Sequence, residues 1–355
     1  MADAQENRDS FRWQADFCRK SGMTIITRVC DGIADALDDT TETGRRILGW
    51  PGDPKEDGLP LRLVGGIHAL YRRRAEPRLT PVFEGTETDP AAIAEAIAAT
   101  LHAHDAELVR WLAGPPQTNE PARSGVLMSG LLTLAERFAP GLGDGPVRFE
   151  LLEIGSSAGL NLMIDRYGFD LGGVRTGPSE PPVLIAPEWR GPPPPAGPLT
   201  IESVRGVDIA PIDIADPAQA ERLMAYVWID QTDRLDRTAR AIAMARATPP
   251  RLEQGDAADW VEARLAEAQP EGVVRVLMHS IVWQYIAPAG QARIEAAMER
   301  AGAAATPERP LGWVAYEADR TLLLHTIKVR GWPGGEQWRQ LGTAHPHGSW
   351  IDWAP

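Results

Sequence analysis

Cysteine is scarce in this chain. Its 355 residues include two, Cys18 and Cys30, too few for a disulfide framework or a four-ligand zinc site. The plain reading is a pair of reduced, half-buried thiols in a cytosolic protein. Long apolar runs are also missing. No stretch approaches the roughly 18 consecutive apolar residues of a membrane span. Met1 to Gln14 is polar and charged, so no secretory leader is expected. Positive charge is in deficit, with 36 Lys and Arg against 49 Asp and Glu and a formal net charge of -13. Such a chain repels a phosphate backbone at long range, which argues against general nucleic-acid binding but leaves room for a local basic pocket. The expectation is a soluble cytoplasmic protein acting on a small molecule, without membrane or nucleic acid.

An apolar share of 43% and a charged share of 24% suit a globular fold. The length allows two or three domains. Up to about residue 145 the pattern is helical. Ile25, Ile26, Val29, Cys30, Ile33 and Leu37 recur at helical spacing, Asp89-Pro90 opens a helix over 91–112, and another runs over 124–138 to Pro140 and Gly141. The character changes at Val147. Strands are expected at 147–154, 200–207, 251–254, 273–278, 311–316, 322–329 and 350–353. Helices are expected between them at 160–164, 217–226, 235–247, 257–268 and 290–301. Strand alternating with helix predicts a largely parallel α/β sheet. The organisation read is a helical domain over 1–145 followed by an α/β domain over 146–355. The Pro-rich passage 191–198 is read as a surface loop.

The strongest local signal is Leu151-Leu152-Glu153-Ile154-Gly155-Ser156-Ser157-Ala158-Gly159-Leu160-Asn161. A strand, a turn of small residues and a helix would let a ligand approach the backbone and meet free N–H groups. The same letters spell Gly-x-Ser-x-Gly, a nucleophile elbow with Ser157 as nucleophile. A hydrolase elbow follows several strands of its sheet, whereas here most strands come later, which favours a nucleotide-type fold. Asp208, ending a strand, can then accept from ribose hydroxyls, or act as a turn acid before Pro211. Asp256 can meet an adenine amino group and also cap the helix that starts at Ala257. His279 is a candidate general base at a strand end, or else a buried core histidine. Trp283 and Tyr285, flanking Gln284, can stack on a planar substrate or fill a core. Asn119, Glu120 and Arg123 can reach a cleft, with Arg123 holding an anionic group, or form an interdomain salt-bridge network. His345 and His347, together with His279, are a conceivable three-histidine metal set, although Pro346 spoils a regular strand. The loop 333–338, with Gly334, Gly335 and Glu336, can supply a pocket wall. Trp13, Trp111, Trp260 and Trp313 read as core anchors.

Several blocks together carry a resemblance. They are Gln117-Thr118-Asn119-Glu120-Pro121-Ala122-Arg123-Ser124, the 153–161 loop, Asp165-Arg166-Tyr167, Pro187-Glu188-Trp189-Arg190-Gly191, Gly206-Val207-Asp208, Val227-Trp228-Ile229-Asp230-Gln231, His279-Ser280-Ile281-Val282-Trp283-Gln284-Tyr285 and His345-Pro346-His347-Gly348. Over nearly its whole length the chain resembles the bacterial family called domain of unknown function 2332, a name that carries no activity. Glu153 and the loop after it also resemble the first motif of class I S-adenosylmethionine-dependent methyltransferases, with Ser157 where that motif carries glycine. This second resemblance implies a Rossmann-like, seven-stranded sheet over 147–355, closed by a hairpin of 322–329 with 350–353. It implies S-adenosylmethionine as cofactor. Glu153, Gly155, Ser156, Ser157, Gly159, Asn161, Asp208 and Asp256 would hold it. His279 and Tyr285 would face the methyl acceptor, helped by Asn119, Glu120, Arg123, Trp283 and Gln284. The alternatives are a non-catalytic nucleotide-, metabolite- or partner-binding relative of that fold, or a serine hydrolase using Ser157.

Overall fold

The computed structural model describes residues 3–335 and 337–355; Met1, Ala2 and Glu336 lie outside them. Along the chain, seven helices come first: α1 (Ala4–Lys20), α2 (Thr24–Ala36), α3 (Glu42–Leu48), α4 (Leu59–Arg72), α5 (Thr80–Phe83), α6 (Pro90–Ala103) and α7 (Asp105–Leu112). They are followed by α8 (Arg123–Leu142), α9 (Pro217–Ala225), α10 (Thr232–Ala247), α11 (Ala257–Leu265) and α12 (Pro288–Ala303). The strands are β1 (Val147–Ile154), β2 (Gly168–Leu171), β3 (Val174–Thr176), β4 (Leu184–Ile185), β5 (Glu188–Arg190), β6 (Leu199–Asp208) and β7 (Leu252–Gln254). Then come β8 (Val273–Ser280), β9 (Leu311–Asp319), β10 (Leu324–Trp332), β11 (Arg339–Ala344) and β12 (Trp350–Trp353). The chain forms two compact units, Met1–Thr118 with Ala215–Ala239, and Asn119–Ile214 with Arg240–Pro355.

The first unit is helical. The apolar stripe of α1 (Phe11, Ala15, Cys18) packs on α2, and α2 (Ile26, Val29, Cys30, Ile33) packs in turn on α6, which carries Ile93, Ile97 and Leu101, all in one core. The helix expected over 91–112 is two helices, because His104 leaves helical geometry (φ -121°) between α6 and α7. The segment 215–239 belongs to this core. Gly65 and Gly66 of α4 lack the side chains that would strike Tyr226 and Trp111. His68, fully buried, lies 2.9 Å through Nδ1 from the Ala225 carbonyl, which fixes that nitrogen as donor. The first turn of α2 has no side-chain cap of its own. Asp230 supplies one, accepting the Ile25 and Ile26 N–H groups at 2.9 and 3.0 Å.

The second unit is built on a nine-stranded mixed sheet ordered β5-β12-β11-β10-β9-β8-β1-β6-β7. From β1 the chain adds β6 and then β7 in parallel on one side, and β8 and then β9 in parallel on the other. The point where the order reverses, between β1 and β8, is the topological switch at which open α/β sheets present the carboxyl ends of their strands to ligands. Beyond β9 the sheet turns antiparallel through β10, β11 and β12, and β5 pairs in parallel with β12 at the edge.

Four expectations are corrected here. The sheet has nine strands where a seven-stranded methyltransferase sheet was expected. Segments 322–329 and 350–353 do not pair with each other, because β11 lies between β10 and β12. Its pattern of Arg339, Gln340 and Thr343 among apolar residues gave no clear strand signal. The helix expected at 160–164 is a single 3-10 turn, Asn161–Met163, so no helix N-terminus follows the Gly-rich loop. The stretch 168–190 contributes β2, β3 and β4, which form a separate small sheet, and the edge strand β5, while the Pro-rich passage 191–198 carries neither helix nor strand. Helix α8, expected with the helical N-terminal domain, belongs to the second unit and packs on β8, β9, β10 and β1. Gly130 makes this close approach possible, since a Cβ there would stand 2.6 Å from Val314.

Candidate functional site

Register assembles the site. Side chains alternate along a strand, so one register pair fixes which residues share a face. His279 of β8 pairs with Ala315 of β9, and Ala315 pairs with Lys328 of β10. One face at the carboxyl end of β8 therefore carries His279, then Trp313, Ala315 and Glu317, then Thr326 and Lys328. These residues line a cavity of about 450 Å³ together with Trp283, Glu295, Ala318, Trp338 and Gln340. That volume lies within the range of small-molecule sites.

The chemical centre of the cavity is a histidine–carboxylate pair. Nδ1 of His279 stands 2.6 Å from Oε1 of Glu317. The same oxygen accepts the Val282 N–H at 3.1 Å. A carboxylate accepts only, so Nδ1 carries a proton, and in the neutral imidazole Nε2 is then the nitrogen with the lone pair. His279 is 2% exposed, and its Nε2 has no hydrogen-bond partner among the described residues. The same holds for Nε1 of Trp313, at 1% exposure. Two buried, unpaired polar atoms on lining residues are costly unless something from the cavity satisfies them. The His279 ring stacks on Trp283 at 5.1 Å between centroids and 20° between planes. Ile281, between the strand end and Trp283, has a φ of 53°. This is strained for a β-branched residue, and it is the bend that sends the Val282 N–H to Glu317.

The opposite face at the same strand ends holds a buried polar cluster. Glu153 pairs in register with Met278 and so shares a face with Ser280. Ser124 Oγ donates to Asn161 Oδ1 at 2.9 Å, and Asn161 Nδ2 reaches Ser280 Oγ at 3.4 Å. Leu160 N–H donates to Asn119 Oδ1 at 2.7 Å. Glu120 accepts the Ala122 N–H, and Arg123 Nε donates to the Pro346 carbonyl at 2.9 Å. Glu153 is fully enclosed. Burial pushes its carboxyl up to about 7, against hydrogen bonds from Ser156 and Asn161 that pull it down. Its Oε2 has no partner among the described residues.

The Gly-rich loop itself is filled. Gly155 has a φ of 70°, and a Cβ there would lie 2.2 Å from Val282 Cγ2. Gly159 has a φ of 73° and faces Pro250 at 2.8 Å. Ser156 is buried and donates to the Glu153 carbonyl. Asp208 uses its carboxylate on the protein, accepting the Ser157 N–H at 2.7 Å and the Ala210 N–H at 2.9 Å. Asp256 caps α11 through the Ala258 and Asp259 N–H groups. Side chains of the sheet unit thus take the space that a Cβ on either glycine would need, and Asp208 and Asp256 already accept backbone N–H groups. Ser157 Oγ is buried without a partner, and no histidine among the described residues bonds to it.

Of the residues singled out from sequence, His279 and Trp283 meet in the cavity. Asn119, Glu120, Arg123, Glu153 and Asn161 meet on the other face. Tyr285 is 78% exposed and Gln284 is exposed, and neither lines the cavity. The rings of His345 and His347 lie 5.5 Å apart between centroids and are tilted 58° to one another. No group of three or more metal-ligating side chains is present among the described residues. Sequence reading missed Glu317, Thr326, Lys328, Gln340 and Glu295, and took Trp313 for a core anchor only. The Trp313-Ala315-Glu317 alternation was the available signal, but it gains meaning only once His279 is known to lie beside it.

No helix among the described residues is long and apolar enough to cross a membrane. Comparison with curated proteins and with solved structures returned no match. A family model described as an uncharacterized protein conserved in bacteria (DUF2332) matches residues 8–353. That span takes in both units and both polar clusters, and the chain belongs to the DUF2332 family.

Proposed function

We propose that the sheet unit is an enzyme acting on a small molecule in the tryptophan-walled cavity, with His279 as general base. One observation carries this reading: Nδ1 of His279 is held by Glu317 at 2.6 Å while Nε2 is buried, unpaired and on a cavity-lining ring. Glu317 orients the imidazole and stabilises the charge that appears when Nε2 takes a proton. General base catalysis by such a positioned group contributes roughly 10²–10⁴-fold. Burial excludes bulk water, so proton transfer is directed to whatever group lies against Nε2.

The test is untargeted turnover. The full-length protein is incubated with a bacterial small-molecule extract and the mixture is followed by mass spectrometry, with His279→Gln and Glu317→Gln in parallel. Features that change with the wild type should change at least about 100-fold more slowly with His279→Gln. Turnover that persists unchanged in His279→Gln, or no turnover at all, overturns the reading.

S-adenosylmethionine-dependent methyl transfer is a second reading. The order of the five parallel strands supports it, as do the carboxylates at or just beyond the ends of β6 and β7. Val282 and Pro250 oppose it by filling the loop. Calorimetric titration with S-adenosylmethionine and S-adenosylhomocysteine separates the cases. The filled loop leads us to expect no heat of binding at millimolar ligand, and binding of either compound would restore the methyltransferase reading.

A further inference from the structure

We propose that the cavity beside His279 takes a ligand bearing a compact, fully substituted ammonium group together with a hydroxyl. This rests on the reading of the cavity as a ligand site and adds its chemical class. Three indoles line the cavity. Trp283 and Trp313 meet at 64° with centroids 5.8 Å apart, and Trp313 and Trp338 at 56° and 4.9 Å. Trp313 is steeply inclined to both of the others, so a flat ligand cannot stack on Trp313 and on either neighbour at once. A rounded group can touch Trp313 and a neighbour together. One face of Trp283 is already covered by His279, which leaves its other face for such a group.

Charge selects the kind of rounded group. An indole face carries negative potential and attracts a cation, most strongly when water is excluded. Two carboxylates line the same cavity, Glu295 and Glu317, and Glu295 forms no ion pair among the described residues. Among the described residues that line the cavity Lys328 is the one Lys or Arg, and its Nζ is already 3.6 Å from Asp319. Arg330 shows how these rings behave toward positive charge: its guanidinium lies 4.6 Å from the Trp332 centroid and 5.6 Å from that of Trp338. The cavity therefore favours a cation on aromatic and electrostatic grounds together. The unpaired Nε2 of His279 and Nε1 of Trp313 supply an acceptor and a donor for an adjacent hydroxyl.

The probes are choline, tetramethylammonium and 3,3-dimethyl-1-butanol, the neutral isostere of choline. Each is titrated into the full-length protein, followed by tryptophan fluorescence and calorimetry. Choline should bind at least tenfold more tightly than the isostere. Trp283→Leu and Glu295→Gln should each weaken choline binding severalfold, with Glu295 on the outer face of α12 as the substitution that spares the fold. Equal affinity for choline and the isostere overturns the proposal, as does an absence of choline binding. The outcome is separable from that of the acid–base reading. Binding of ammonium probes with no His279-dependent turnover of any extract component sustains the ligand class and removes the enzyme. His279-dependent turnover of a neutral or anionic compound does the reverse.

Discussion

Two buried ionisable side chains of the sheet unit differ in how their burial is compensated. His279 has a carboxylate on one nitrogen, while the other is buried without a hydrogen-bond partner among the described residues, on a ring that lines the cavity. Glu153 has hydrogen bonds on its carboxyl and the charge of Arg123 acting on it, yet burial outweighs both and raises it from 4.5 to about 7. In the unfolded chain it ionises near 4.5, so between these values the folded state binds more protons than the unfolded state. The stability contributed by neutral Glu153 is therefore fully present below about 4.5 and is lost as pH rises through about 7. The upper limit of this loss is about 3 kcal/mol. Glu153→Gln keeps a neutral group of the same shape. It should melt several degrees higher than the wild type at pH 8 and no higher at pH 5, as read by thermal denaturation. A wild-type advantage at pH 8 would mean that Glu153 is ionised and paired in the native protein.

At the scale of elements, the loop after β1 shows how one string of small residues serves different ends. Glycine at 155 is required by its φ of 70° and by Val282, which packs where a Cβ would stand. Gly155→Ala should cost roughly 2–4 kcal/mol, the sum of left-handed strain and overpacking. The double variant with Val282→Ala should recover the packing part but not the strain, and denaturant midpoints measure both. Full tolerance of alanine at 155 would show that Val282 moves freely and that the loop can open to a ligand. The local string was legible as strand, turn and close approach. That the close approach is made by Val282, two residues beyond β8, was not, because the partner lies about 130 residues away in sequence and only the β1–β8 pairing brings it near. The same limit explains β11 and β5. Short, partly polar strands at or near the sheet edge carry little period-2 signal of their own and exist because a neighbouring strand offers unpaired backbone groups.

At the scale of the whole molecule, the chain visits the helical unit twice. Tyr226, Val227 and Trp228 are each less than about a tenth exposed, and their segment belongs with residues 1–118. A fragment of residues 119–355 keeps these apolar side chains but lacks the helices they pack on. It should bind a hydrophobic dye and aggregate. Removing 215–239 as well, with a flexible linker of about a dozen residues in its place, should restore a monodisperse fragment. Light scattering and dye fluorescence make the comparison, and a monodisperse 119–355 without dye binding would refute the assignment of that segment.

What the sequence by itself determined follows from short-range rules. Apolar spacing made the helices of the first unit, apolar runs between turn residues made β1, β6, β8 and β9, and Asp89 and Asp256 marked helix starts by accepting the first free N–H groups. These signals span a few residues, so they can be read without knowing the fold. Tertiary structure alone decided that Glu317 would meet His279, that three tryptophans would wall one cavity, and that valine and proline would fill the loop. Those contacts join positions tens to more than a hundred residues apart, and strand register and helix packing, not local pattern, set which side chains share a face.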